Sequence, residues 1–174
     1  AGLLELNHIV LCGLDPDSRR EHHKHIQATA QRSYTQDEFN INDLLRWHRD
    51  HAYESAWKRA AGVYVRILSQ PQLYIEGNHR TGALLMSYIL GRDGKAPFVL
   101  TVENALAYFD PSSLIKGTNK TPTTLLMKLP RMKKRFARYS AITAYVADGE
   151  GLAVHISLDR PVGPDRVGTS GGPL

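Results

Sequence analysis

Gln72-Leu73-Tyr74-Ile75-Glu76-Gly77-Asn78-His79-Arg80-Thr81-Gly82 concentrates more chemistry than any other stretch of the chain. A carboxylate, a turn and a cation lie side by side, and an apolar run from Ala83 to Leu90 follows. The first N–H groups of a helix have no intrahelical partner and carry partial positive charge. A loop of Gly77, Asn78 and His79 feeding a helix at Arg80 is therefore an anion cradle. Gly77 lets the backbone approach a phosphate, and Asn78 tolerates left-handed backbone and can orient the loop through its amide. Arg80 presents a planar fork suited to phosphate oxygens, and Glu76 suits Mg²⁺ completed by phosphate and water. Leu73 and Ile75 would alternate inward. The glycine and lysine spacing of a P-loop is absent. The plain alternative is a glycine turn opening a helix, with Glu76 and Arg80 as a surface ion pair.

The elements around this loop follow from periodicity and punctuation. Leu3, Leu6, Ile9, Val10 and Leu14 are at helical spacing, ended by Gly13 and Pro16. Residues 19–36 are polar without a clean period and read as a loop or weak hairpin. Asn40 or Asn42 caps a helix through Leu44, Leu45 and Trp47, with a break near Ala52–Ser55. A long helix through Ala60, Val63, Tyr64, Ile67 and Leu68 is stopped by Pro71. The helix after the loop is apolar nearly all round and is predicted to be the central buried one, ending at Gly91-Arg92-Asp93-Gly94. Residues 101–116 form another helix, capped by Thr101. Residues 123–139 are helical and basic. Ile142–Ala147 and Leu152–Leu158 flank a hairpin turn at Asp148-Gly149-Glu150-Gly151. The prediction is an all-α domain over residues 1–158, with one or two small hairpins and a flexible tail at 159–174.

Composition bounds the partners. The 174 residues carry a net charge of +5, which favours anionic ligands such as nucleotides. The longest apolar runs are far short of the roughly 20 residues a membrane span needs, so no membrane partner is expected. The single Cys12 excludes an internal disulfide and fits a reducing compartment, the cytoplasm.

The loop resembles the motif of the Fic (Fido) family, H-P-F-x-[DE]-G-N-G-R followed by T-G-R. The upstream helix from Leu6 to Pro16, the Arg19-Arg20 pair and the Phe39–Trp47 segment look like that family's usual lead-in, so the resemblance covers roughly residues 3–115. It implies a helical bundle with a β-hairpin flap, here near residues 19–33, that aligns a target protein as an added strand. It implies transfer of AMP from Mg-ATP to a hydroxyl of that protein. It would place Glu76 on Mg²⁺, the backbone of Gly77, Asn78 and His79 on the phosphates with Thr81 beside them, and Arg80 on the outer phosphates.

Three departures qualify this. Gln72 stands where the family's general-base His stands, and an amide takes no proton at ordinary pH. His79 replaces a glycine, crowding the cradle or offering a substitute base. Ala83 removes the second Arg of the pattern. The expected functions are thus weak or altered transfer, or a pseudoenzyme that binds nucleotide or a protein partner.

Other clusters read more plainly. His22 and His25, and likewise His48 and His51, lack a third ligand for a metal. Trp47 and Trp57 read as core. Arg131, Lys134, Arg135 and Arg138 line one helical face opposite Met132, Phe136 and Tyr139; this is an amphipathic helix with a solvated basic side, nucleic acid being the third and least favoured reading.

Overall fold

A computed structural model describes residues 2–37, 39–98 and 102–143. The helices are α1 (Gly2–Cys12), α2 (Pro16–Glu21), α3 (His23–Thr35), α4 (Ile41–Asp50), α5 (Ala56–Leu68), α6 (Asn78–Arg92), α7 (Val102–Lys116) and α8 (Leu129–Thr143). A π-helical turn at Thr124–Lys128 leads into α8. Among the described residues there is no strand beyond one parallel bridge between Gln70 and Asn119. The architecture is all-α.

Local chemistry accounts for several boundaries. Asn40 and Asp43 form a reciprocal capping box at the start of α4. Asp15 accepts from the Ser18 N–H at 2.9 Å ahead of Pro16, the first residue of α2. The chain breaks between α4 and α5, and the Ser69 hydroxyl donates to the Val65 carbonyl at 2.8 Å where α5 ends. Gly94, at φ +65°, turns the chain away after α6.

The central helix is α5, not α6 as the apolar run after the loop predicted. Ala60, Ala61, Gly62, Val63, Tyr64, Val65, Ile67 and Leu68 are all buried, so this stretch of α5 is covered nearly all round. The helix α6 buries Leu85, Met86, Ile89 and Leu90 against it but leaves Leu84 and Tyr88 exposed. Two glycines allow the close approaches. A Cβ on Gly82 would stand 2.8 Å from the Tyr64 ring, and one on Gly62 would stand 2.0 Å from Trp47. α8 covers a third side, with the Phe136 ring stacked on Tyr64 at 4.6 Å. Trp47 and Trp57 are partly buried against this core; Trp47 also lies under the Arg66 guanidinium at 3.8 Å. The helix α1 packs on α6, and α3 on α1.

The region read as a loop or hairpin flap, residues 19–33, is helical in α2 and α3 instead. Its inward face is polar: Thr29 and Ser33, one turn apart, are fully buried. A helix that packs through hydroxyls shows no apolar period, which is why the pattern was invisible. Ile142 and Thr143 end α8. The rest of the expected C-terminal hairpin, the tail at 159–174 and the Thr101 cap lie outside the described residues.

Candidate functional site

The loop between α5 and α6 is held from four sides. Its backbone is tied to α5 by the Leu73 N–H donating to the Ile67 carbonyl at 3.2 Å. From α3, Ser33 donates to the Leu73 carbonyl at 3.1 Å and Arg32 to the Gln72 carbonyl at 3.4 Å. From α1, Asn7 donates to the Glu76 carbonyl and to the Thr81 hydroxyl, both at 3.0 Å. From the segment after α7, buried Lys120 donates to the carbonyls of Ser69 and Pro71.

A further tie is internal. Asn78 is buried, and its amide clamps Tyr74: Oδ1 accepts from the Tyr74 N–H at 3.0 Å and Nδ2 donates to the Tyr74 carbonyl at 2.9 Å. The expectation that Asn78 orients the loop through its amide is met. Leu73 and Tyr74 both point inward, while Ile75 is exposed, so the predicted alternation of Leu73 and Ile75 fails. The reason is the clamp, which folds the chain back over four residues in place of an extended strand. Tyr74 anchors the loop: its hydroxyl donates to the Leu3 carbonyl at 3.1 Å, and burial pushes its phenol above the usual range.

Gln72 completes the clamp. Its Nε2 donates to the Leu68 carbonyl at 3.2 Å, near the end of α5, and its Oε1 accepts from Asn78 at 3.4 Å. Both ends of the amide are in use.

Gly77, the N-cap residue immediately before α6, has φ +74°, a conformation that favours glycine. Its Cα faces α1: a Cβ there would stand 3.0 Å from Asn7 Nδ2 and 3.1 Å from Leu11. The glycine is thus required by a helix contact as well as by the turn. No side chain caps the start of α6.

The remaining predicted residues divide. Thr81 is fully buried with its hydroxyl on Asn7, so its side chain holds the loop to α1. The His79 imidazole turns inward, with Nδ1 3.1 Å from the Tyr64 hydroxyl. That hydroxyl also donates to Tyr108 at 2.7 Å and lies 2.8 Å from Ser112. Burial, with Lys116 adding to it, lowers the His79 pKa from the usual range, so the ring is neutral at pH 7. Arg80 is exposed and donates to the Val10 carbonyl at 3.1 Å. It thereby supplies a cation to the end of α1, whose own last turn has none. Glu76 is exposed, and its carboxylate has no hydrogen-bond or ion-pair partner among the described residues. The alternative of a Glu76–Arg80 ion pair is not formed.

Glu76 and the remaining Arg80 N–H groups thus stand beside the uncapped first turn of α6. Among the described residues no three His, Cys, Asp or Glu side chains gather to hold a metal. A lone exposed carboxylate suits Mg²⁺ that arrives with phosphate oxygens, since that ion takes one or two carboxylates and keeps several waters.

Asn7 is the residue that sequence reasoning missed. It sits 69 positions from the Glu76 carbonyl it holds. The local sign was an amide in a largely apolar helical stretch.

No protein-family model, curated protein or solved structure matches the chain.

Proposed function

We propose that the chain is a Fic-like module that binds a nucleotide or a related phosphate ligand at the start of α6 without transferring it. The observation that carries this reading is the state of Gln72. It stands where the family's base would stand, and its amide joins Leu68 to Asn78. Loss of a positioned base removes typically ~10²–10⁴-fold of rate.

The binding half of the reading rests on the left-handed Gly77, the uncapped first turn of α6, and exposed Glu76 and Arg80. In this reading the N–H groups of Asn78, His79 and Arg80 receive phosphate oxygens, and Glu76 takes the Mg²⁺ they bring. ATP with Mg²⁺ is the ligand that the family resemblance favours. Asn7 and Asn78 keep the backbone in place, so that little ordering is needed on binding.

A second reading, slow transfer of AMP to a protein hydroxyl, draws on His79. A neutral imidazole is a base, though its Nδ1 edge lies against Tyr64.

Calorimetry of Mg-ATP and transfer of label from α-labelled ATP test both readings on the chain, on Gln72→His and on Glu76→Ala. Binding by the chain and by Gln72→His, transfer by Gln72→His alone, and loss of Mg²⁺-dependent binding in Glu76→Ala are expected. Transfer by the unaltered chain moves the conclusion to the second reading. Absence of binding in both removes the nucleotide reading.

A further inference from the structure

Independently of the nucleotide site, we propose that the turn-helix from Thr121 to Arg138 docks the protein on an anionic lipid surface. Leu125, Leu126 and Met127 sit at its tip, 38%, 80% and 52% exposed. They are consecutive residues on one turn, so their side chains splay in different directions instead of forming one stripe. A rigid protein groove is filled by a stripe at helical spacing. A splayed apolar turn suits a fluid apolar phase that closes around it.

The turn is preformed. The Thr124 N–H donates to the Thr121 hydroxyl at 3.2 Å, and the Leu125 N–H to the Thr121 carbonyl at 2.8 Å. Pro122 and Pro130 bracket it.

The charge follows the tip along the same element. Lys128, Arg131, Lys134, Arg135 and Arg138 are exposed, and none has an ion-pair or hydrogen-bond partner among the described residues. The one paired cation of α8 is Lys133, which turns inward to Glu54 at 2.8 Å. Leu129, Phe136 and Ala137 face the core, so the cations occupy the outer side. Arg131 to Arg138 spans roughly 10 Å along the axis, enough to lie across several headgroups. A nucleic acid would satisfy the cations but leaves the apolar tip unexplained. The expectation of no membrane partner came from the lack of a span, and surface docking needs none; among the described residues no helix is long and apolar enough to cross a membrane.

Flotation of the full chain with vesicles provides the test. The vesicles are phosphatidylcholine alone, or an equal mixture with phosphatidylserine. The chain is expected to float with the mixed vesicles only, and to be released by high salt, which shortens the screening length to about 3 Å at 1 M. Each of Arg131→Ala, Lys134→Ala and Arg135→Ala should weaken binding about fivefold. The double variant Leu126→Ser, Met127→Ser should weaken vesicle binding while leaving the circular dichroism spectrum unchanged. Failure to float with mixed vesicles overturns the proposal. Equal flotation of the Leu126→Ser, Met127→Ser protein also overturns it, as does binding of a DNA duplex that competes the vesicles away irrespective of that double variant.

Discussion

The loop from Gln72 to Thr81 and the turn-helix from Thr121 to Arg138 are both rich in polar side chains, yet they turn them in opposite directions. In the loop, Gln72, His79 and Thr81 each bond to another part of the protein, and Asn78 clamps Tyr74 within the loop. In the turn-helix, the cations from Lys128 to Arg138, Lys133 excepted, face outward. An inward polar group sets geometry, because an unpaired buried donor or acceptor costs free energy. An outward one leaves the fold indifferent and is available for binding. The side chains most suggestive of chemistry in the sequence thus include several that bond within the protein and two, Glu76 and Arg80, that stay exposed.

Stability measurements can break this contrast. Asn78→Ala should have the largest effect: it leaves the Tyr74 N–H and carbonyl unpaired in the interior and should cost about 3 kcal/mol in urea unfolding. A cost below that of an exposed substitution would mean that the clamp does not hold the loop. Gly77→Ala should cost about 2 kcal/mol, from a left-handed backbone and contact with Asn7 and Leu11. Thermal melts of this variant beside Asn7→Ala would show whether the two share one origin.

A pH series sharpens the inward side further. Burial lowers the pKa of His8, His48 and His79 from 6.5 in the folded chain. The unfolded chain therefore takes up protons that the folded chain refuses. Stability is fully present above about pH 6.5 and declines as pH falls through that value. Replacing His8 or His79 by Gln should flatten the decline; an unchanged slope would count against their burial as its cause. The smallest effect belongs to the outward side: Arg131→Ala, Lys134→Ala and Arg135→Ala together should change stability by less than about 0.5 kcal/mol. A larger loss in melts would mean that this face holds the fold together.

What could be read in advance was local. The Asn40 cap, the stop at Pro71 and the turn at Gly91–Gly94 depend on a few adjacent residues whose backbone preferences act over one turn. The amphipathic character of residues 129–138 was equally plain, since the period there is clean. Residues 19–36 show no apolar period because α3 buries the hydroxyls of Thr29 and Ser33 in place of aliphatic side chains. The apolar run after the loop was misjudged as central because hydropathy does not reveal which of two apolar helices is surrounded.

By itself, the sequence determined a helical chain of net positive charge, the glycine turn before an apolar helix, and an amide that takes no proton at Gln72. These follow from residue identity and from interactions within a turn or two. Only the tertiary structure decided that Asn7 holds Glu76 and Thr81 in place, that Arg80 reaches back to α1, and that His79 turns to Tyr64. Such pairings join residues up to 74 positions apart, and their geometry exists only once α5 has been enclosed by the helices around it.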